Sequence, residues 1–217
     1  MLTRNLLLVG LGAILVAAAL PPIMGDSAAP QCPQSPAGIV PVLAGVRIPD
    51  AVLFSPQGKQ VMLPRLLAVK PTVLVVFGGS WCVYCEKELA RLQTIEPELI
   101  RLGYQIVAIS PDSPEALQKG LAGKHVNYQV YSDMSRTVSS DLGVLYYVDA
   151  NSRAWLDMGQ WTGNNVSAQP EWQLPDPSIF IVGTNARIQF EHVGAAYGKP
   201  IDPSELLGAA KCLAERK

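Results

Sequence analysis

Hydrophobic and polar positions along the chain change period several times, and each change marks an element. "AVLFSPQGKQVML" (51–63) sets two short apolar runs around Ser55-Pro56-Gln57-Gly58, which predicts a hairpin. "PTVLVVF" (71–77) is uncharged, β-branched and opened by Pro71, the pattern of a strand buried on both faces. "CVYCEKELARLQTIEPELIRLG" (82–103) then takes helical spacing. Leu89, Leu92, Ile95, Leu99 and Leu102 recur at three and four, and Gly103 stops the run. Pro97 lies inside it and is expected to kink or split the helix near Glu96.

"YQIVAIS" (104–110) reads as the next strand. "SPEALQKGLAGK" (113–124) reads as a helix with Ser113 as N-cap and Pro114 in its first turn. "VNYQVYSD" (126–133) predicts a third strand, and "SRTVSSDLG" (135–143) a short helix. The stretch from Tyr146 to Leu174 has no period and carries Trp155, Trp161 and Trp172 among Gly, Asn, Ser and Gln. "DPSIFIVGTNARIQFEHV" (176–193) predicts two strands about Gly183-Thr184-Asn185-Ala186. "PSELLGAAKCLAERK" (203–217) predicts a closing helix, with Ser204 in its first turn and cations in its last. Strand, helix, strand, helix, strand in that order implies an α/β fold, with a parallel sheet and right-handed crossovers.

The chain has 217 residues, 49% of them hydrophobic, enough to bury one ordinary core. Its formal net charge is -1, so no basic field invites nucleic acid. Ahead of the periodic region, Arg4 precedes a charge-free apolar stretch from Leu6 to Met24, and small residues Ser27, Ala28 and Ala29 follow. That is the pattern of a secretory signal, and its length also allows an N-terminal membrane anchor. The expected organisation is a signal or anchor over 1–25, a linker over 26–45, rich in proline and small residues, and a domain over 46–217. The expected location is therefore exported, periplasmic or otherwise extracytoplasmic.

Export changes what cysteine means, because disulfides persist outside the cytosol. The four cysteines are Cys32, Cys82, Cys85 and Cys212. With Cys82 and Cys85 already neighbours, Cys32 and Cys212 either form a second bridge or stay as two thiols. Such a bridge would close most of the domain and stabilise it by about 4 kcal/mol on the chain-entropy model.

"GGSWCVYCEKE" (78–88) places Cys82 where a strand meets a helix. The free N–H groups and positive dipole end there favour thiolate over thiol. A dithiol at such a place has a lowered pKa and exchanges readily with other disulfides. Cys82, expected nearer solvent, would attack. Cys85, expected more enclosed, would resolve the mixed disulfide. Trp81 would wall one side, and Val83 and Tyr84 fill the space between the cysteines. The competing reading is a metal site. Zinc wants four ligands, and beyond the pair the chain offers remote cysteines with His125 and His192 as its histidines. No metal is therefore expected, although soft thiolates also suit Cu(I) delivery. His125 reads as a surface loop residue and His192 as an ordinary strand residue.

Taken together, "TVLVVFGGSWCVYCEKELARLQ", "LGYQIVAISPDSPE" and "GNNVSAQPEWQLPDPSIFIVGTNARIQFEHV" resemble a thioredoxin-fold protein of the AhpC/TSA-like, redoxin group from about Val46 onward. The resemblance implies a three-layer α/β/α sandwich with a mixed central sheet and a C-terminal β-hairpin plus helix. It implies a thiol–disulfide oxidoreductase without a cofactor other than the redox-active Cys82–Cys85 disulfide. Its partners would be protein thiols or disulfides and a membrane or periplasmic electron donor. Pro177 matches the family's cis-proline position, opposite the Cys pair, and would present backbone to a bound thiol substrate. Asp176 would then lie close to Cys82, and its carboxylate would raise the thiol pKa against the helix effect. Glu88 matches a common family acid. The tryptophan-rich stretch would either wall a substrate groove or pack as core.

Peroxiredoxins of this group carry proline seven residues and threonine or serine three residues before their peroxidatic cysteine. Counting back from Cys82 gives Val75 and Gly79, and from Cys85 gives Gly78 and Cys82. The residues that shape a peroxide site are thus missing in both frames. A thiol peroxidase and a metal-handling or redox-silent binding module remain the alternatives.

Overall fold

A computed structural model describes residues 38–122, 127–148, 172–194 and 200–216. The N-terminal segment, Cys32, His125, Trp155 and Trp161 lie outside them. No helix among the described residues is long and apolar enough to cross a membrane.

The first hairpin pairs β1 (Val52–Phe54) with β2 (Gln60–Met62) in antiparallel register. Gly58, at φ 78°, turns the chain, and its N–H reaches Ser55 O at 2.8 Å. A short helix that the pattern did not announce follows directly, α1 (Leu63–Leu67). Pro64 fits its first turn, and Leu63, Leu66 and Leu67 drive it onto the sheet. Its run of leucines is too short for periodicity to separate from a strand end.

β3 (Thr72–Val76) is buried at every position. It lies parallel to β4 (Gln105–Ser110), which lies parallel to β5 (Gln129–Ser132). Helix α2 (Val83–Arg101) makes the first crossover and α3 (Pro114–Leu121) the second. The Ser113 side chain accepts the Ala116 N–H, as its N-cap position predicts, a cap of about 1 kcal/mol. Gly103, at φ 87°, ends α2, and Tyr104 N returns to Leu99 O at 3.0 Å.

Helix α2 runs unbroken through Pro97, contrary to the expected split at Glu96. Proline removes one hydrogen bond from the ladder. Leu92, Ile95 and Leu99 are all buried against the sheet on either side of it, and that packing holds the helical path.

After β5 come α4 (Thr137–Asp141), then β6 (Leu145–Tyr147) and β7 (Gln173–Pro175). β6 and β7 pair antiparallel as a separate two-stranded sheet. The two ends of the aperiodic stretch are therefore ordered against each other. β8 (Ser178–Val182) and β9 (Ile188–Val193) form the second large hairpin, and α5 (Pro203–Ala214) closes the fold. The N-cap of α5 is Asp202, whose side chain accepts the Ser204 N–H at 2.7 Å.

The main sheet has the order β2-β1-β5-β4-β3-β8-β9 and is mixed. β8 runs antiparallel to β3 over Thr72↔Val182 to Val76↔Ser178. Alternation along the strands divides the core into two layers. Val73, Val75, Ile106, Ala108 and Ile181 face the layer holding Leu92, Ile95, Leu99 and Leu206 of α2 and α5. Leu74, Val76, Val107, Ile109 and Phe180 face the layer holding α1 and Val138 and Leu142 around α4. Tyr104 ties α5 to the sheet, its hydroxyl donating to Ala210 O at 3.0 Å. This is the three-layer α/β/α arrangement with C-terminal hairpin and helix that the sequence implies.

Candidate active site

The site stands where β3 ends. Phe77 N still bonds Ile109 O at 3.0 Å, and the chain then leaves the sheet through Gly78, Gly79 and Ser80. Gly79 sits at φ 142°, where a Cβ would overlap Trp81 Nε1 and stand 3.0 Å from Asp112 Oδ1. Both the conformation and the close approach require glycine. Cys82 N returns to Gly79 O at 3.1 Å, which sets the turn into α2.

Cys82 is the N-cap of α2 and Cys85 lies in its first turn. The two are joined as a disulfide with their Cα atoms 5.1 Å apart. Cys82 Sγ accepts the Cys85 N–H at 3.1 Å. One of the helix's orphan donors is thus spent on the sulfur, as the strand–helix junction predicts. The expected contrast in exposure is absent. Cys82 is 0% exposed and Cys85 1%. In the oxidised pair both sulfurs belong to the same apolar layer as Phe77 and Leu92, with Trp81 and Tyr84 packed against it.

A small cavity of about 30 Å³ lies on one flank of α2. Tyr84, Cys85, Glu88, Pro177 and His192 line it. Pro177 thus shares this cavity with Cys85, but its peptide is trans where the resemblance implies cis, since the described residues contain no cis peptide bond. The backbone on both sides is held by hydrogen bonds. Asp176 N bonds Val144 O at 2.8 Å, and Pro177 O accepts Gly194 N at 2.9 Å. Trans is the intrinsically favoured form of such a bond. Asp176 is fully buried. Burial pushes the Tyr84 hydroxyl pKa up, and the charges of Glu88 and Asp176 add to that shift while Arg91 opposes it.

Glu88 and His192 enter the site from α2 and β9. Burial raises the Glu88 carboxyl pKa, while Arg91 and His192 pull it back. Arg91 Nη1 stands 3.3 Å from Glu88 Oε1. From the sequence, His192 reads as an ordinary strand residue. Its register opposite Ile179 on β8 carries it to the cavity.

Asp112 was not singled out from the sequence and is the buried anchor of the motif loop. It follows β4, and its Oδ2 accepts the Ser80 N–H at 2.6 Å and the Ser110 hydroxyl at 3.1 Å. Its Oδ1 has no hydrogen-bond partner among the described residues. Burial raises its carboxyl pKa, and the hydrogen bonds from Ser80 and Ser110 oppose the shift. The one signal in the sequence is its place just past the carboxyl end of a parallel strand, where α/β sheets collect functional groups.

The tryptophan-rich stretch contributes Trp172. It packs with Tyr146, Val148 and Leu174 in a satellite cluster that also takes Trp81. Cys212, on α5, is exposed, and its pairing with Cys32 lies outside the described residues. Among the described residues no three of His, Cys, Asp and Glu stand together as metal ligands.

A match to the AhpC/TSA family covers residues 44–191, more than half of the chain. The chain belongs to the AhpC/TSA family. Among curated relatives, it is 26% identical over 101 residues to the thiol-disulfide oxidoreductase ResA of Bacillus thuringiensis (strain Al Hakam). That match takes in 46% of this chain and 57% of the relative, so the chain spans little more than half of the relative's length. Among solved structures, peroxidoxin BcpB of Mycobacterium tuberculosis superposes with a TM-score of 0.60 at 18% identity, covering 78% of this chain and 97% of that one. A putative thiol:disulfide interchange protein DsbE of Chlorobium tepidum gives 0.53 at 18%, covering 80% and 99%. These two structures share the fold with this AhpC/TSA chain.

Proposed function

We propose that the protein is an exported thiol–disulfide oxidoreductase that works through the Cys82/Cys85 couple. The observation that carries this reading is the disulfide at the start of α2, with Cys82 Sγ held by the Cys85 N–H. In the reduced protein the same N–H and the helix dipole favour a thiolate on Cys82. That thiolate attacks a substrate disulfide, forming a mixed disulfide and releasing one substrate thiolate. Cys85 then attacks Cys82 Sγ, re-forming the internal disulfide and releasing the second substrate thiol. Two electrons pass from the protein to the substrate. The couple needs no further cofactor. Trp81, Tyr84 and Pro177 form the walls that a protein substrate meets, and Asp176 is buried beside Pro177. A membrane or periplasmic donor returns the electrons.

Similarity to ResA, by its name a thiol–disulfide oxidoreductase, supports the exchange chemistry. Val75 and Gly79, where a peroxide site would place proline and threonine, argue against efficient peroxide reduction. The signal-like stretch Leu6–Met24 supports export. Cys85→Ser, expressed in the cell of origin, tests the reading. Covalent partners held on Cys82 and recovered from the extracytoplasmic fraction are expected. A variant present at wild-type level with no trapped partner overturns the reading.

A further inference from the structure

The loop that carries the motif is gripped at Ser80, two residues before Cys82. Its backbone N–H donates to Asp112 Oδ2 at 2.6 Å. The accepting carboxylate stands on a fixed backbone. The hydroxyl of Ser132, the last residue of β5, donates to Asp112 O at 2.5 Å. The hydroxyl of Ser110, the last residue of β4, donates to Asp112 Oδ2 at 3.1 Å. Asp112, Ser110 and Ser132 are all fully buried. Helix α3 closes on the side chain of the same Ser80. A Cβ added at Gly120 would overlap Ser80 Cβ and stand 2.6 Å from Ser80 Oγ.

Gly120 lies in the last turn of α3 and has no positive φ. Glycine inside a helix is destabilising relative to alanine, so helix formation does not account for it. The close approach to Ser80 does. Asp112 directly precedes Ser113, the N-cap of α3. The two ends of α3 therefore meet one loop residue, Asp112 at its backbone and Gly120 at its side chain.

That residue sits inside the turn that delivers the sulfur. Gly79 O, just before Ser80, accepts the Cys82 N–H at 3.1 Å. Cys82 Sγ in turn accepts the Cys85 N–H at 3.1 Å. A displacement of Ser80 shifts this turn and pulls the sulfur off its donor, and a thiolate without that donor is less favoured. Resting on the exchange reading above, we infer that Asp112 and Gly120 are positioning residues for the Cys82/Cys85 couple: they clamp Ser80 and so hold Cys82 Sγ on the Cys85 N–H.

A double-mutant cycle tests the clamp. Reduced full-length protein is treated with iodoacetamide over a range of pH. The mark on Cys82 is followed by mass spectrometry, beside the rate of disulfide exchange. Gly120→Ala is expected to slow Cys82 alkylation at neutral pH several-fold and to move its pH profile upward. In a Ser80→Gly background the atoms that the new methyl would strike are gone, and Gly120→Ala is expected to change neither reading. A loss of equal size in both backgrounds, failure to fold in both included, overturns the inference. So does the absence of any loss in either. Asp112→Ala is expected to slow alkylation as Gly120→Ala does. Asp112→Asn keeps an oxygen for the Ser80 N–H and is expected to alkylate at least as fast as wild type. An Asn variant as slow as the Ala variant overturns the inference. Wild-type exchange with Cys82 profiles unmoved across the variants overturns this inference alone. No exchange by the wild type overturns the exchange reading and this inference with it.

Discussion

The sulfur of Cys82 accepts the backbone N–H of Cys85 at 3.1 Å, at the first turn of a 19-residue helix. A hydrogen bond to the charged form favours that form. In the reduced protein Cys82 is therefore expected to titrate below an ordinary cysteine, about 8.5. A charged Asp176, buried next to Pro177, is expected to work in the opposite direction. Asp176→Asn is expected to lower the Cys82 pKa further. The pH dependence of alkylation in both reduced proteins reads this directly, and the absence of a downward shift in the variant removes Asp176 from the account.

Gly79→Ala tests the loop that delivers the motif. At φ 142° a Cβ would overlap Trp81 Nε1 and crowd Asp112 Oδ1. The strained backbone alone costs about 1–3 kcal/mol. Chemical denaturation is expected to show that loss, together with a slower rate of disulfide exchange. Full stability with full activity would mean that the loop tolerates another path.

Asp112 gives a prediction in pH. Burial raises its carboxyl pKa in the folded protein, so the folded state holds the proton more tightly than the unfolded chain does. Its contribution to stability is complete below the unfolded value, about 3.9, and is lost as pH rises through the raised folded value. Asp112→Asn does not titrate and retains an oxygen to accept the Ser80 N–H. Its stability relative to wild type is expected to improve as pH rises through that window. Urea unfolding of both proteins across the window checks this, and a difference independent of pH contradicts it.

Much of the fold is legible in the sequence because its signals are local. Pro71 and the β-branched run mark β3, Ser113 and Pro114 start α3, and Gly103 stops α2. The Cys pair is legible for the same reason, since a strand end and a helix start fix its place. What is not legible depends on contacts far apart in sequence. Pro97 stays inside α2 because Ile95 and Leu99 are packed on a sheet that the helix alone does not reveal. Ser80 and Asp112 are 32 residues apart and meet at the ends of neighbouring parallel strands. β6 and β7 pair across a stretch with no hydrophobic period. The burial of Cys82 likewise comes from the packing around it and not from its position as N-cap.

Disulfide exchange by the purified protein is the most direct test of the central claim. Reduced wild-type protein is mixed with a protein disulfide substrate, and the appearance of substrate thiols is followed beside Cys82→Ser and beside a parallel assay with hydrogen peroxide. Substrate thiols are expected to appear stoichiometrically as the Cys82–Cys85 disulfide forms, to be absent with Cys82→Ser, and to outpace any consumption of peroxide. Rapid peroxide consumption without reduction of the disulfide substrate would contradict the claim.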